Sequence, residues 1–165
     1  MKTVARTLMQ CFLMLSLFLA GWAGAQAGEQ PRAYRAGSLA QIAQARQGKP
    51  FVVLLWSLEC SVCMKELDFL AKTLREHPGM DMVLISTDEA SAGGEASSVL
   101  ELHGLGKAES WIFAEDDAQR LRYEIDPAWY GELPRAYFYD AAHKRIAVSG
   151  AVEKSHFDAW LAAGK

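Results

Sequence analysis

The sequence predicts an α/β fold with a mixed central sheet flanked by helices, and three observations carry that prediction. "PFVVLLWS" and "MDMVLIST" are continuous apolar runs rich in β-branched residues, the composition of strands buried on both faces. Stretches with apolar residues at helical spacing lie between the strand-like runs, as parallel crossovers require. The last two strand-like runs, "RAYFYD" and "RIAVSG", are joined only by the turn sequence "AAHK", which makes that pair antiparallel. Such an α/β sandwich needs one domain's worth of chain, and 165 residues supply it.

Taken in order, the chain opens with Lys2 and Arg6, an apolar run "CFLMLSLFLAGWAGA" and the small-x-small sequence Ala25 to Ala27. These are the three parts of a secretory signal peptide, expected over residues 1–27. The run from Cys11 to Ala25 is 15 residues, short for a membrane span of roughly 20, so a single uncleaved N-terminal anchor is the alternative. A lipid-modified N-terminus fits poorly, because Cys11 precedes the apolar run and Gln10 is not a small residue. Residues 28–37 are polar and read as an irregular leader, and the folded domain is expected over 38–165. Ser38 is an N-cap candidate for a helix with Leu39, Ile42 and Ala43 on one stripe, ending at Gly48. After the first buried strand, Leu67, Leu70 and Leu74 recur at helical spacing until His77, Pro78 and Gly79 stop the helix. Beyond the second strand, "GGEASSVLELHGLG" reads as a short helix and "SWIFA" as a short strand. "EDDAQRLRYEI" is a helix opened by acids Glu115 to Asp117, where the dipole favours them. The hairpin follows, and "EKSHFDAWLAA" is the closing helix. Neither an internal repeat nor a low-complexity linker interrupts this order.

Loss of Lys2 and Arg6 with the signal would take the net charge from −3 to −5. That balance argues against nucleic acid and anionic lipid as partners, since both select a basic surface. Cleavage would also remove Cys11 and leave Cys60 and Cys63 as the exported domain's cysteines. A single close pair differs from the four or more cysteines of a disulfide-dense scaffold, so the domain must fold on its core.

Cys60 falls where a strand gives way to a helix. There, unpaired N–H groups and the positive end of the dipole stabilise a thiolate. Cys63 lies one turn on, within reach of a mixed disulfide formed at Cys60, and strand–C-x-x-C–helix is therefore a geometry for thiol–disulfide exchange. A purely structural staple is the plainer alternative, but closing so short a loop constrains the unfolded chain by only about 2 kcal/mol. A structural zinc needs four ligands, and no second C-x-x-C or H-x3-H supplies them; His77, His103, His143 and His156 are scattered and read as surface or capping residues. A copper(I) carrier using the two thiolates stays open, because soft sulfur ligands alone hold that ion. A non-catalytic interaction domain is the third alternative.

"LLWSLECSVC", "MVLISTD" and "YGELPRAYFYD", in this order and spacing, resemble the thioredoxin fold and, more narrowly, the TlpA/ResA-like family of exported thiol–disulfide oxidoreductases. The resemblance covers about residues 38–163. It implies that Cys60 attacks, that Cys63 resolves, and that Glu66, in C-x-x-C-x-x-E, serves Cys63 as proton carrier. Residues i and i+3 share a helix face, and Glu66 borders the Leu67–Leu70 stripe, so burial and a raised pKa are expected. It further implies a cis peptide at Pro134, with Leu133 offering its backbone to a substrate strand. Trp56 matches the family aromatic; it is expected to pack beneath the site and is grouped with Leu133, Pro134 and Glu59 as substrate-side residues. Trp111, Trp129 and Trp160 read as core or rim aromatics.

Several positions depart from the family pattern. Glu59 replaces the usual tryptophan before the first cysteine. Leu54 stands where minimal thioredoxins bury an aspartate. The intervening pair is Ser61-Val62, and Asp68 occupies a frequent proline position. Residues 88–110 correspond to the family's short insertion. A carboxylate beside Cys60 opposes thiolate formation, which points to a reducing protein. The expectations are then a periplasmic or other extracytoplasmic protein disulfide reductase, monomeric, without cofactor or metal. Its substrate is an exported protein bearing a disulfide, and its electrons come from a membrane donor reductase.

Overall fold

A computed structural model describes residues 29–115 and 117–163 and arranges six strands in one sheet. These are β1 (Arg32–Tyr34), β2 (Phe51–Trp56), β3 (Met82–Glu89), β4 (Glu109–Phe113), β5 (Arg135–Tyr139) and β6 (Arg145–Ser149), in the spatial order β1-β4-β3-β2-β5-β6. β1 through β4 run parallel, β5 is antiparallel to β2, and β6 is antiparallel to β5. The helices are α1 (Ser38–Gln44), α2 (Ser61–Glu76), α3 (Gly93–Leu102), α4 (Ala118–Ile125) and α5 (Lys154–Ala163). The mixed sheet flanked by helices is the expected one. Residues 1–27, expected to be a signal peptide, lie outside the described residues. No helix among the described residues is long and apolar enough to cross a membrane.

β2 is buried along its whole length, and its period of two divides the core. Val52, Leu54 and Trp56 face α2, α3 and α5, against Leu67, Leu70, Leu100 and Phe157. Phe51, Val53 and Leu55 face the other way, against Ile42 of α1, Leu121 and Ile125 of α4, and Tyr137 of β5. β3 repeats the division, with Met82 and Leu84 on the first face and Val83 and Ile85 on the second. A strand covered on both sides has no polar face, and this is why the two runs are continuously apolar.

The leader needs correction. Within residues 28–37, expected to be irregular, Arg32–Tyr34 pairs with β4 as an edge strand. Three residues are too few to show an alternating pattern, and the strand is held from outside. Tyr34 is buried, stacked on Phe113 at 5.4 Å and edge-on to Trp111 at 6.3 Å. Residues 88–110, expected to be an insertion, include the ends of two strands. Asp88 and Glu89 end β3, Glu109 and Ser110 begin β4, and only a 3₁₀ turn at Ala90–Ala92, α3 and the turns after it lie between.

Candidate active site

Cys60 ends the loop from β2 and is the N-cap of α2, with extended backbone (φ −89°, ψ 97°). Its Sγ accepts a hydrogen bond from the Cys63 N–H at 3.1 Å, one of the first-turn donors that has no partner within the helix. The two sulfurs form a disulfide, with Cα atoms 5.1 Å apart. Their exposures differ. Cys63 is fully buried against the α2 face of the sheet, whereas Cys60 is only partly covered, so Cys60 is the sulfur open to solvent.

Glu66 lies one turn beyond Cys63 on the same face of α2 and is 4 % exposed. Burial pushes its carboxyl up to about 7, and the Val152 N–H, donating to Oε1 at 3.1 Å, offsets only part of that rise. The leucine at 54 is wholly buried and supplies no acid beside Cys63. The bond to Val152 ties α2 to the turn after β6.

The loop before β5 lies at the same end of the sheet as Cys60, since Leu55 of β2 pairs with Arg135 of β5. The Leu133–Pro134 peptide is cis, and the Pro134 carbonyl accepts from the Gly150 N–H at 2.9 Å. Gly150 has φ +82°, a conformation that favours glycine. Leu133 is half-buried and packs against both halves of the core, and among the described residues no hydrogen bond engages its backbone. Of the two residues expected on the substrate side, Leu133 is half-buried and Pro134 is buried.

Trp56 corrects the substrate-side grouping. At 1 % exposure it lies in the core beneath the cysteines, because β2 is covered on both faces, and its buried indole Nε1 has no hydrogen-bond partner among the described residues. Glu59 is exposed at the rim, its N–H donating to Ser57 Oγ at 3.3 Å. Asp68, also exposed, lies 2.7 Å from His103 Nδ1. The histidines stay apart: His77 ends α2, the His143 ring meets the Arg46 carbonyl at 2.9 Å, and His156 Nδ1 accepts from the Glu153 N–H at 3.0 Å. Among the described residues no group of three or more His, Cys, Asp or Glu could hold a metal ion.

Sequence reasoning missed the residues on either side of Leu133 and Pro134. Arg135 is 8 % exposed and bonds Glu132 Oε1 at 3.2 Å, Ser149 Oγ, and Asp126 Oδ2 at 2.9 Å. Ser149 Oγ in turn donates to Glu132 at 2.7 Å, and Tyr137 Oη to Asp126 at 3.0 Å. The Ser149 hydroxyl and the Arg135 guanidinium hold the Glu132 carboxyl below the usual carboxylate range. The available signal was an acid and a base three positions apart around a proline, with the base opening an otherwise apolar strand.

The Cys60–Cys63 pair at the N-terminus of the helix after the central strand, at the same end of the sheet as the Leu133–Pro134 loop, belongs to a thioredoxin-type fold. Solved structures carry the same fold. A secreted disulfide oxidoreductase of Mycobacterium tuberculosis, homologous to E. coli DsbE, is 20% identical and aligns with a TM-score of 0.56 over 86% of this chain and 99% of its own. DsbF of the same organism, in its mixed oxidized and reduced forms, is 17% identical with a TM-score of 0.57, over 86% of this chain and 98% of its own. The thioredoxin domain of a thiol-disulfide oxidoreductase from Bacteroides vulgatus is 20% identical with a TM-score of 0.57, over 73% of this chain and 81% of its own. At these identities the likeness is one of fold. No family model and no curated protein sequence matches the chain.

Proposed function

We propose that this protein is an exported thiol–disulfide oxidoreductase that reduces disulfides in other exported proteins. The observation that carries the reading is the asymmetry of the pair: Cys60 partly exposed at a helix N-terminus, Cys63 fully buried one turn on, and Glu66 buried beyond it. In the reduced protein, the Cys60 thiolate attacks one sulfur of the substrate disulfide. A Cys60–substrate bond forms, and the other substrate sulfur leaves as a thiolate that takes up a proton. Cys63 then passes its proton to the Glu66 carboxylate and attacks Cys60 Sγ. The Cys60–Cys63 bond forms, the Cys60–substrate bond breaks, and the second substrate sulfur leaves as a thiolate that takes the proton back from Glu66, so the substrate gains two electrons and the protein loses two.

A carboxyl near 7 is half ionised at neutral pH and suits a proton acceptor for Cys63. The unengaged Leu133 backbone supports docking of an extended substrate segment by main-chain hydrogen bonds. Exposed Glu59 beside Cys60 supports the reducing direction by disfavouring the thiolate that a strong oxidant stabilises. A dithiol donor at the membrane would restore the reduced pair.

The test is the Cys60–Cys63 reduction potential, measured by equilibration with a dithiothreitol buffer, together with reduction of insulin. A value near thioredoxin's, about −270 mV, or lower is expected. A value near about −120 mV would reverse the direction and make the protein a disulfide donor.

A further inference from the structure

The segment Ser57 to Cys60 carries the nucleophile from β2 to α2, and one side chain from another strand holds it. Pairing of β3 with β4 shifts register between Ser86 and Glu89. Irregularities of this kind re-aim side chains, and here Asp88 meets the β2–α2 loop. Asp88 Oδ1 accepts from Ser57 Oγ at 2.8 Å, and Oδ2 accepts from the Leu58 N–H at 3.0 Å and from Ser86 Oγ at 2.5 Å. The Asp88 N–H donates to Ser86 Oγ at 3.0 Å, closing the group on itself. Ser57 passes the restraint forward, its carbonyl accepting from the Cys60 N–H at 3.1 Å and its hydroxyl from the Glu59 N–H at 3.3 Å.

We propose that Asp88 is a positioning residue for Cys60: through Ser57 and Leu58 it fixes the loop so that Cys60 Sγ stays over the unpaired N–H groups that open α2. The inference rests on Cys60 being the nucleophile. A helix terminus stabilises a thiolate only within its first turn, so the benefit depends on where the loop puts the sulfur. Three donors converge on the Asp88 carboxylate, and charge-assisted bonds of this kind are about twice as strong as neutral ones. A negative charge near a thiolate opposes it through space, so geometry and charge predict different outcomes.

The experiment measures the pH midpoint of Cys60 alkylation by iodoacetamide on the reduced, folded protein. Four forms are compared: wild type, Ser57→Ala, Asp88→Asn and the double variant. Glu59 and Glu66 are unchanged in all four, and their charges cancel in the comparison. Ser57→Ala alters no charge, and thermal unfolding of each form shows that it is folded. The midpoint is expected to rise by about half a pH unit in Ser57→Ala. In the Asp88→Asn background, where the bond is already compromised, the same change is expected to have little further effect. An unchanged midpoint in Ser57→Ala overturns the proposal. An equal rise in both backgrounds also overturns it, by assigning the effect to the Glu59 N–H. Insulin reduction by the wild type is read separately. Its absence would count against the proposed function, whereas the alkylation midpoints report the clamp alone.

Discussion

Glu66 is a carboxyl in a place that disfavours its charge. Burial raises it from an ordinary 4.5 to about 7, so between those values the folded protein holds a proton that the unfolded chain has released. The stability this group contributes is complete below 4.5 and is lost as pH rises through about 7. Glu66→Gln removes the dependence. From pH 4.5 to pH 8, urea unfolding should show the wild type losing up to ~3 kcal/mol relative to the variant. The variant should also resolve mixed disulfides more slowly, with a flatter pH profile near 7 than the wild type in stopped-flow assays. Spacing alone put Glu66 on the face of Cys63. Spacing beside the Leu67–Leu70 stripe also pointed to its burial; what spacing could not supply was its hydrogen-bond partner, the Val152 N–H, 86 positions away along the chain.

Among the elements, the Asp126–Arg135 loop depends most on residues distant from it. Its two ends are drawn together by Arg135 and Asp126, both nearly buried, and Ser149 of β6 joins Glu132 beside the cis-proline. Without Arg135 the nearly buried Asp126 keeps only the longer pairing with Arg145, at 3.7 Å, as its charged partner among the described residues, so Arg135→Leu should cost ~3 kcal/mol in denaturant unfolding. Adding Asp126→Asn should recover part of that loss. In the singly changed protein, the rate of substrate reduction should fall while Cys60 alkylation is unchanged, if the loop docks substrate as proposed. Other elements were legible locally. The acids before α4 signalled its start, and Asp117 accepts from the Arg120 N–H at 2.9 Å as its N-cap. The proline after His77 signalled the end of α2, since a residue before proline disfavours helical backbone.

Across the whole molecule, the sheet ends in a short strand at one edge and a hairpin strand at the other. β1 is attached through Tyr34, whose ring is buried between β4 aromatics and the α1 side of the core. Tyr34→Ala should cost ~3–4 kcal/mol, visible as a lower midpoint in thermal unfolding, as for other large-to-small changes at buried aromatics. The Cys60–Cys63 pair lies on the β2–α2 junction, away from that edge. Its reduction potential should therefore stay within a few millivolts of the wild-type value in glutathione equilibration, as distant sites act nearly independently.

What the chain determined by itself is whatever rests on nearest neighbours: buried parallel strands from continuous apolar runs, helix limits from caps and prolines, and the dithiol at a strand-to-helix junction. Those features were legible because periodicity and capping are local physics. Tertiary structure alone decided that Arg32–Tyr34 is a strand and that the Glu66 carboxyl is tied to the Val152 N–H. It also brought Asp88, Glu132 and Arg135 around the two loops of the site. Each of these depends on a contact between residues far apart in sequence, on burial or on a partner's charge. The free energy of such a contact belongs to the pair and is written in neither local segment.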